Sequence, residues 1–211
     1  MPRDPKMRDF GLYVIITDPV LSYRRVAEIC VECGVRMLQL REKHLDDKAI
    51  LAAAAEILDV TRGTDTMFVM NDRADLAALA GADAVHLGQG DISLSDARRI
   101  VGPDMTIGLS THSIEQARKA IADGADYIGF GPVWATPTKA IPDPAVGVAQ
   151  LAEVVKFSPV PVVAIGGIFP ENLPDVLAAG ARNVCLVRHL MESDALDERI
   201  NALIERIMNH E

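Results

Sequence analysis

The sequence has no excess of basic residues and no long apolar run. Its 211 residues include 21 Lys and Arg against 30 Asp and Glu, which gives a formal net charge of −9. An acidic chain repels polyanions, so neither a nucleic acid nor a membrane is an expected partner. No stretch approaches the roughly 20 apolar residues of a membrane span. The opening segment MPRDPKMRDF also lacks the apolar core of a signal peptide. We therefore expect a cytoplasmic protein.

Cysteine is scarce as well. The chain has 3 cysteines, and the spacing of Cys30 and Cys33 is the C-x-x-C pattern of some zinc and redox sites. That pair lies inside the apolar helical pattern AEICVECGV, and no second ligand pair lies nearby. The favoured interpretation is two small buried side chains that pack against a sheet.

Short apolar runs rich in β-branched residues are abundant, and they alternate with segments of helical period. The runs predict eight strands, at 12–17, 35–40, 67–70, 83–87, 105–109, 126–130, 160–165 and 184–187. Such near-continuous apolar strands are typical of a parallel sheet covered on both faces. We therefore predict a single-domain (β/α)8 TIM barrel over residues 1–211. The alternative is an open doubly wound sheet, but no G-x-G-x-x-G follows the first strand, and polar residues follow many strands rather than one crossover.

The segment QLREK follows the second strand. Barrel enzymes carry their chemistry at the carboxyl ends of the strands, which is where this segment should lie. Side chains alternate in an extended chain, so Gln39, Arg41 and Lys43 should face the same way. Two cations and an amide would then face one site. The alternative is an ordinary solvated charge cluster.

Acidic residues follow the next two strands. Asp72 comes after the third strand, next to Asn71, and Asp91 comes after the fourth. Two carboxylates from neighbouring strand ends suit Mg²⁺, which fills its remaining positions with water and substrate phosphate. Together with Arg41 and Lys43 they would clamp a pyrophosphate. The alternative is that each aspartate only caps the following helix.

Two further strand-end residues have two interpretations each. His86 could be a metal ligand or a proton shuttle, but a histidine in a buried strand is more often a hydrogen-bonded core residue, and we favour that. Ser110 could hydrogen-bond a phosphate or a heterocycle, or it could cap the next helix.

The later strand ends predict a second anion site. After the seventh strand, Gly166 and Gly167 would let backbone N–H groups approach an anion, and Val187 and Arg188 follow the eighth strand. Loops after strands seven and eight are the usual phosphate site of this fold. The longest irregular segment, 131–147, is expected to be an active-site loop, and it contributes Thr136, Thr138 and Lys139.

Six motifs, in this order, resemble the thiamine-phosphate synthase family: QLREK, NDR, VHLGQGD, GLSTH, DYIGFGPVWATPTK and AIGGI. The resemblance covers nearly the whole chain. It implies a transferase of thiamine biosynthesis that joins hydroxymethylpyrimidine pyrophosphate to the nitrogen of a thiazole phosphate and releases pyrophosphate. It also implies a Mg²⁺ cofactor and two small phosphorylated substrates as partners. Whether the chain forms a homo-oligomer is left open.

The resemblance also assigns residues to the two halves of the site. The pyrimidine pyrophosphate would be held by Gln39, Leu40, Arg41, Glu42, Lys43, Asn71, Ser110 and Lys139, and Mg²⁺ by Asp72 and Asp91. The thiazole phosphate would be held by Thr136, Pro137, Thr138, Gly167, Val187 and Arg188. Arg41, Lys43 and Lys139 would be catalytic, stabilising the departing pyrophosphate in a dissociative displacement.

Two positions depart from the family pattern. Arg188 stands where Ser is frequent, so the phosphate contact would depend on backbone N–H groups or on the guanidinium. Gly90 stands where an acidic residue is frequent, which leaves Asp91 in place. The competing functions are a related thiazole tautomerase, a metal-dependent sugar-phosphate epimerase with histidine ligands, and a barrel that only binds a phosphorylated ligand.

Overall fold

Eight parallel strands form a closed barrel in chain order in the computed structural model, which describes residues 9–136 and 144–209. The strands are β1 Leu12–Ile16, β2 Met37–Leu40, β3 Met67–Asn71, β4 Ala84–Leu87, β5 Thr106–Thr111, β6 Tyr127–Phe130, β7 Val162–Ile165 and β8 Asn183–Leu186. Each of the eight predicted strands is present, and the barrel prediction is confirmed. The ring closes where β1 pairs with β8, with Val14 opposite Leu186.

Helices connect the strands and surround the barrel. They are α1 Tyr23–Glu32, α2 Asp47–Thr61, α3 Ala74–Ala80, α4 Leu94–Val101, α5 Ile114–Ala122, α6 Gly147–Phe157, α7 Leu173–Ala178, α8 Arg188–Met191 and α9 Leu196–Met208. Several begin at a residue whose side chain accepts a hydrogen bond from a backbone N–H of the first turn. Ser22 does so for α1, Asp46 for α2 and Ser113 for α5.

The alternation of side chains along each strand divides the apolar residues between two cores. In β1, Val14 and Ile16 face outward and pack with the helices in the larger cluster. Tyr13 and Ile15 face inward and pack with Met37 and other residues inside the barrel. The barrel interior is thus filled at its amino-terminal and central levels, which leaves the carboxyl ends of the strands as the open mouth.

The chain closes the amino-terminal end of the barrel with a buried amide. Asn183 is 2% exposed, and its Oδ1 accepts hydrogen bonds from the backbone N–H groups of Phe10 (2.8 Å) and Gly11 (3.2 Å). Because Asn183 begins β8, this contact ties the segment before β1 to the last strand.

The cysteines are free thiols, with Cys30 and Cys185 buried and Cys33 partly buried. Burial raises the pKa of the Cys30 thiol, so this group stays protonated. The packing interpretation of the C-x-x-C pair is confirmed for Cys30, and Cys33 lies at the edge of the same core. Within the described ranges, no helix is long and apolar enough to cross a membrane.

Candidate active site

The mouth of the barrel contains a cavity of about 120 Å³. Eight of the residues predicted to form the site line it: Gln39, Arg41, Asn71, Ser110, Thr136, Gly167, Val187 and Arg188. They come from both halves of the barrel, so residues of both predicted anion sites meet at one cavity, whereas Lys43, Asp72 and Asp91 are not among the residues that line it. Pro137, Thr138 and Lys139 lie outside the described residues.

Successive side chains at the end of β2 point in opposite directions. Gln39 is 1% exposed and faces the barrel interior, where its Nε2 donates to the Tyr13 hydroxyl at 2.7 Å. Arg41 lies beyond the strand, donates its backbone N–H to the Ile16 carbonyl at 2.8 Å and lines the cavity with its side chain. Leu40, between them, packs its side chain in the outer core, and it is not among the residues that line the cavity.

The carboxylate of Glu42 is engaged with the loop after β1. It accepts hydrogen bonds from the Asp18 backbone N–H (3.0 Å) and from the Tyr23 hydroxyl (3.1 Å). Loss of hydration and this neighbouring carboxylate raise the pKa of Tyr23 to about 12. The structure therefore places the Glu42 side chain in a contact that holds two loops together.

Two aspartates lie at the neighbouring ends of β3 and β4. Asp72 adopts the left-handed region, with φ +60°, and donates its backbone N–H to the His86 carbonyl at 2.7 Å. Its Oδ2 forms an ion pair with Lys43 Nζ. Oδ2 of Asp91 accepts a hydrogen bond from the Gly88 backbone N–H at 2.6 Å.

Neither aspartate is the cap of the helix that follows it. The N-cap of α3 is Arg73, with no capping side-chain hydrogen bond, and the N-cap of α4 is Ser93. The capping alternative is therefore wrong for both Asp72 and Asp91. A non-glycine residue with positive φ costs backbone strain, which fits a carboxylate held in a direction that the loop alone would not favour.

The Asp91 carboxyl is affected by its surroundings. Loss of hydration raises the pKa of Asp91, the nearby Asp72 carboxyl raises it further, and the Gly88 N–H and Lys43 oppose the rise. Two negative groups held this close favour a cation between them. Among the described residues, no group of three or more His, Cys, Asp and Glu side chains could hold a metal. A pair of carboxylates is the small donor set that Mg²⁺ uses with water and phosphate.

His86 is hydrogen-bonded at both ring nitrogens, as the favoured interpretation expects, but it is only partly buried and it also lines the cavity. Its Nδ1 lies 2.9 Å from the Tyr127 hydroxyl and its Nε2 lies 2.9 Å from Ser110 Oγ. Ser110 belongs to β5, and Ser113 is the residue that caps α5. The capping interpretation of Ser110 is therefore wrong, and its hydroxyl lies on the wall of the cavity.

Sequence reasoning missed the two buried tyrosines behind this wall. Tyr13 and Tyr127 are 2% and 0% exposed, and their hydroxyl oxygens lie 3.0 Å apart. Gly108 makes this packing possible, because a Cβ there would lie 2.1 Å from Tyr127 Cζ and 2.6 Å from His86 Nδ1. The sequence feature that could have pointed to these tyrosines is strand alternation. It places Gly108, beside which Tyr127 packs, on the same face of β5 as Ser110.

The paired glycines after β7 lie against the loop after β6. Gly166 and Gly167 have φ angles of +92° and +67°, and a Cβ on Gly167 would lie 2.7 Å from Trp134 Cβ. The Val133 N–H donates to the Ile165 carbonyl at 2.9 Å, which extends the contact between the two segments. Loop packing therefore requires glycine at Gly167, and the same turn exposes its backbone to the cavity.

Arg188 supplies a cation on the same side of the mouth. It begins the short helix α8, and its guanidinium carbon lies 5.2 Å from the centroid of the Phe169 ring. Stacking on an aromatic ring holds a planar guanidinium in place without neutralising it. Arg188 and Phe169 both line the cavity, as does Val187.

A family model described as thiamine monophosphate synthase matches residues 12–190. The chain belongs to this family. It is 42% identical over 200 residues to the thiamine-phosphate synthase of Anaeromyxobacter dehalogenans, with 92% of this chain and 88% of the relative covered. It is 36% identical over 217 residues to that of Caldicellulosiruptor bescii, with coverage of 100% and 99%. The predicted family and its transferase class are confirmed.

The fold of the chain is also that of a solved relative. A thiamine phosphate pyrophosphorylase from Pyrococcus furiosus superposes with a TM-score of 0.85 at 30% sequence identity. The match covers 96% of this chain and 99% of that one.

Proposed function

We infer that this chain joins hydroxymethylpyrimidine pyrophosphate to a thiazole phosphate to give thiamine phosphate and pyrophosphate. The observation that carries the proposal is the division of the mouth. Asp72, Asp91, Arg41 and Lys43 lie on the side of β2 to β4, and Arg188 lies on the side of β7 and β8. Its relatives of similar length bear the name of this activity.

The pyrimidine pyrophosphate belongs on the side of β2 to β5. Gln39, Asn71 and Ser110 present amide and hydroxyl groups that can hydrogen-bond the heterocycle, and all three line the cavity. Arg41 lies one step beyond the strand, where its guanidinium can bind pyrophosphate oxygens with paired hydrogen bonds. Contact by Leu40 would come from its backbone, and Glu42 would act by holding the loop.

Asp72 and Asp91 would hold Mg²⁺ beside this pyrophosphate. The two carboxylates lie close together, and a small hard cation between them would relieve their repulsion. When bound, Mg²⁺ supplies positive charge to the pyrophosphate oxygens. Lys43 already pairs with Asp72, so its ammonium lies where it can contact the same phosphates.

The thiazole phosphate belongs on the opposite side of the cavity. The Arg188 guanidinium, held against Phe169, provides a charged donor, and the backbone at Gly167 and Val187 lies next to it. Thr136 adds a hydroxyl from the loop after β6. In this chain, the Arg188 guanidinium takes the place of the serine hydroxyl that is frequent at this position in the family.

The chemistry needs positioning and charge rather than a general base. The C–O bond between the pyrimidine methylene and the pyrophosphate breaks, and the bonding electron pair leaves with the pyrophosphate. The lone pair of the thiazole nitrogen then forms the new C–N bond. Arg41 and Lys43, with Lys139, stabilise the negative charge that develops on the leaving group. The cavity holds the two reactants in line, which removes much of the entropic cost.

The test is an assay of pyrophosphate release with both substrates, with each alone, and with and without Mg²⁺. We expect release only when both substrates and the metal are present. Release that needs neither Mg²⁺ nor thiazole phosphate would contradict the proposal. Tight binding of both ligands without release would instead indicate a barrel that only binds phosphorylated molecules.

A further inference from the structure

A continuous series of hydrogen bonds crosses the barrel interior at the wall of the cavity, which Gln39, His86 and Ser110 line. Gln39 Nε2 donates to Tyr13 Oη at 2.7 Å, and Tyr13 Oη lies 3.0 Å from Tyr127 Oη. Tyr127 Oη lies 2.9 Å from His86 Nδ1, and His86 Nε2 lies 2.9 Å from Ser110 Oγ. This hydrogen-bond series joins five strands, and its two end residues, Gln39 and Ser110, line the cavity.

One set of donor directions gives every hydrogen in this series an acceptor when Gln39 donates to Tyr13. Each phenol has one hydrogen, so a Tyr13 that accepts from Gln39 has its own hydrogen left for Tyr127. Tyr127 then donates to His86 Nδ1, and a neutral imidazole carries its proton on Nε2. That N–H donates to Ser110 Oγ, which leaves the Ser110 hydrogen for the cavity.

The surroundings of this hydrogen-bond series restrict its side chains and keep its two phenols protonated. Burial raises the pKa of Tyr127 and of Tyr13, because a phenolate would lose its hydration inside the barrel. Gly108 leaves the space in which the Tyr127 ring meets the His86 ring, with ring centroids 5.4 Å apart. A connected hydrogen-bond network of this kind restricts the orientation of the side chains in it.

We propose that Tyr127 and His86 are positioning residues that hold the Ser110 hydroxyl as a hydrogen-bond donor toward a ring nitrogen of the aminopyrimidine substrate. Ring nitrogens of a pyrimidine are acceptors, so a fixed donor orients the ring and a rotating hydroxyl does not. The proposal deepens the function inferred above and rests on it. Neither residue takes part in bond making or breaking.

The first test is the kinetics of Tyr127→Phe, which removes one hydroxyl and keeps the ring. We expect the KM for the pyrimidine pyrophosphate to rise roughly tenfold, with the KM for the thiazole phosphate unchanged. Thr66→Val is the matched control. Its buried hydroxyl donates to the Val35 carbonyl at 2.7 Å, at the opposite end of the barrel, so its loss should leave both KM values unchanged.

The second test measures the His86 tautomer in the wild-type protein without substrate. Long-range proton–nitrogen NMR correlation should find the ring proton on Nε2 alone, and Tyr127→Phe should populate both tautomers. A proton on Nδ1 in the wild type would overturn the proposal whatever the variant does. An unchanged pyrimidine KM in a folded, active Tyr127→Phe protein would also overturn it while the proposed function stood. Absence of turnover by the wild-type protein would contradict the proposed function itself.

Discussion

At the scale of the residue, Asp91 is the proposed Mg²⁺ ligand whose carboxyl has a raised pKa, first through loss of hydration and then through Asp72. Its carboxylate lies near that of Asp72 and accepts a hydrogen bond from the Gly88 backbone N–H. Asp91→Asn keeps the shape of the side chain and removes the charge that Mg²⁺ requires. We expect kcat/KM at fixed Mg²⁺ to fall on the order of 100-fold, with partial recovery when Mg²⁺ is raised.

The control for this variant is Asp104→Asn, which removes the same charge from an exposed loop outside the site. Its kinetics should match the wild type. If Asp91→Asn also kept wild-type turnover across a Mg²⁺ titration, Asp91 would not be a metal ligand.

In the proposed function, Arg188 is the side chain that would bind the phosphate of the thiazole substrate. A charge-assisted hydrogen bond between the guanidinium and the phosphate would be lost in Arg188→Ser, which restores the hydroxyl that is frequent in the family. We expect the KM for the thiazole phosphate to rise roughly 10- to 100-fold, with the KM for the pyrimidine pyrophosphate unchanged. Arg36→Ser, exposed just before β2, is the control. An unchanged thiazole KM in Arg188→Ser would assign the phosphate to backbone N–H groups.

At the scale of the element, β5 depends on a glycine that its sequence pattern does not explain. Gly108→Ala would place a Cβ 2.1 Å from Tyr127 Cζ, and overpacking of this kind costs about 1–3 kcal/mol. We expect a lower midpoint of urea denaturation for this variant. Gly90→Ala is the matched control, because nothing lies within 4 Å of a Cβ there. Equal midpoints for the two variants would show that the interior around Tyr127 is loosely packed.

The elements themselves follow from the sequence, because apolar runs and helical periods are local properties. Their ends are less predictable, since they depend on partners. The predicted second strand includes Val35, but β2 begins at Met37, because the Val35 N–H donates to the Cys30 carbonyl at the end of α1. The predicted fifth strand ends at residue 109, but β5 extends to Thr111, since Ser110 and Thr111 pair with β6.

The same limit applies to the candidate site. Strand order predicts which polar residues gather at the mouth, and Gln39, Asn71 and Ser110 do so. Local pattern could not distinguish a capping aspartate from one turned into a site, because Asp72 owes its direction to a positive φ and to Lys43. The sequence also did not predict the role of the buried tyrosines, Tyr13 and Tyr127. Their role depends on contacts between strands distant in sequence.

At the scale of the whole molecule, Asn183 helps to hold the barrel closed. Asn183→Ala would leave the backbone N–H groups of Phe10 and Gly11 without the acceptor they now share. Unsatisfied buried donors cost about 1–3 kcal/mol, so we expect the free energy of unfolding in urea to fall by that amount. Turnover per folded molecule should not change, because Asn183 lies at the end of the barrel opposite the mouth. Asn209→Ala, exposed at the end of α9, should leave stability unchanged.

The proposed division of the mouth into two anion sites connects the barrel to its proposed activity. Mass spectrometry of the products tests it most directly, with both substrates and Mg²⁺ supplied to the purified chain. Thiamine phosphate and pyrophosphate should appear in equal amounts, and neither should form when one substrate is omitted. Pyrophosphate formed without a matching amount of thiamine phosphate would show that the two substrates are not joined, and would contradict the account.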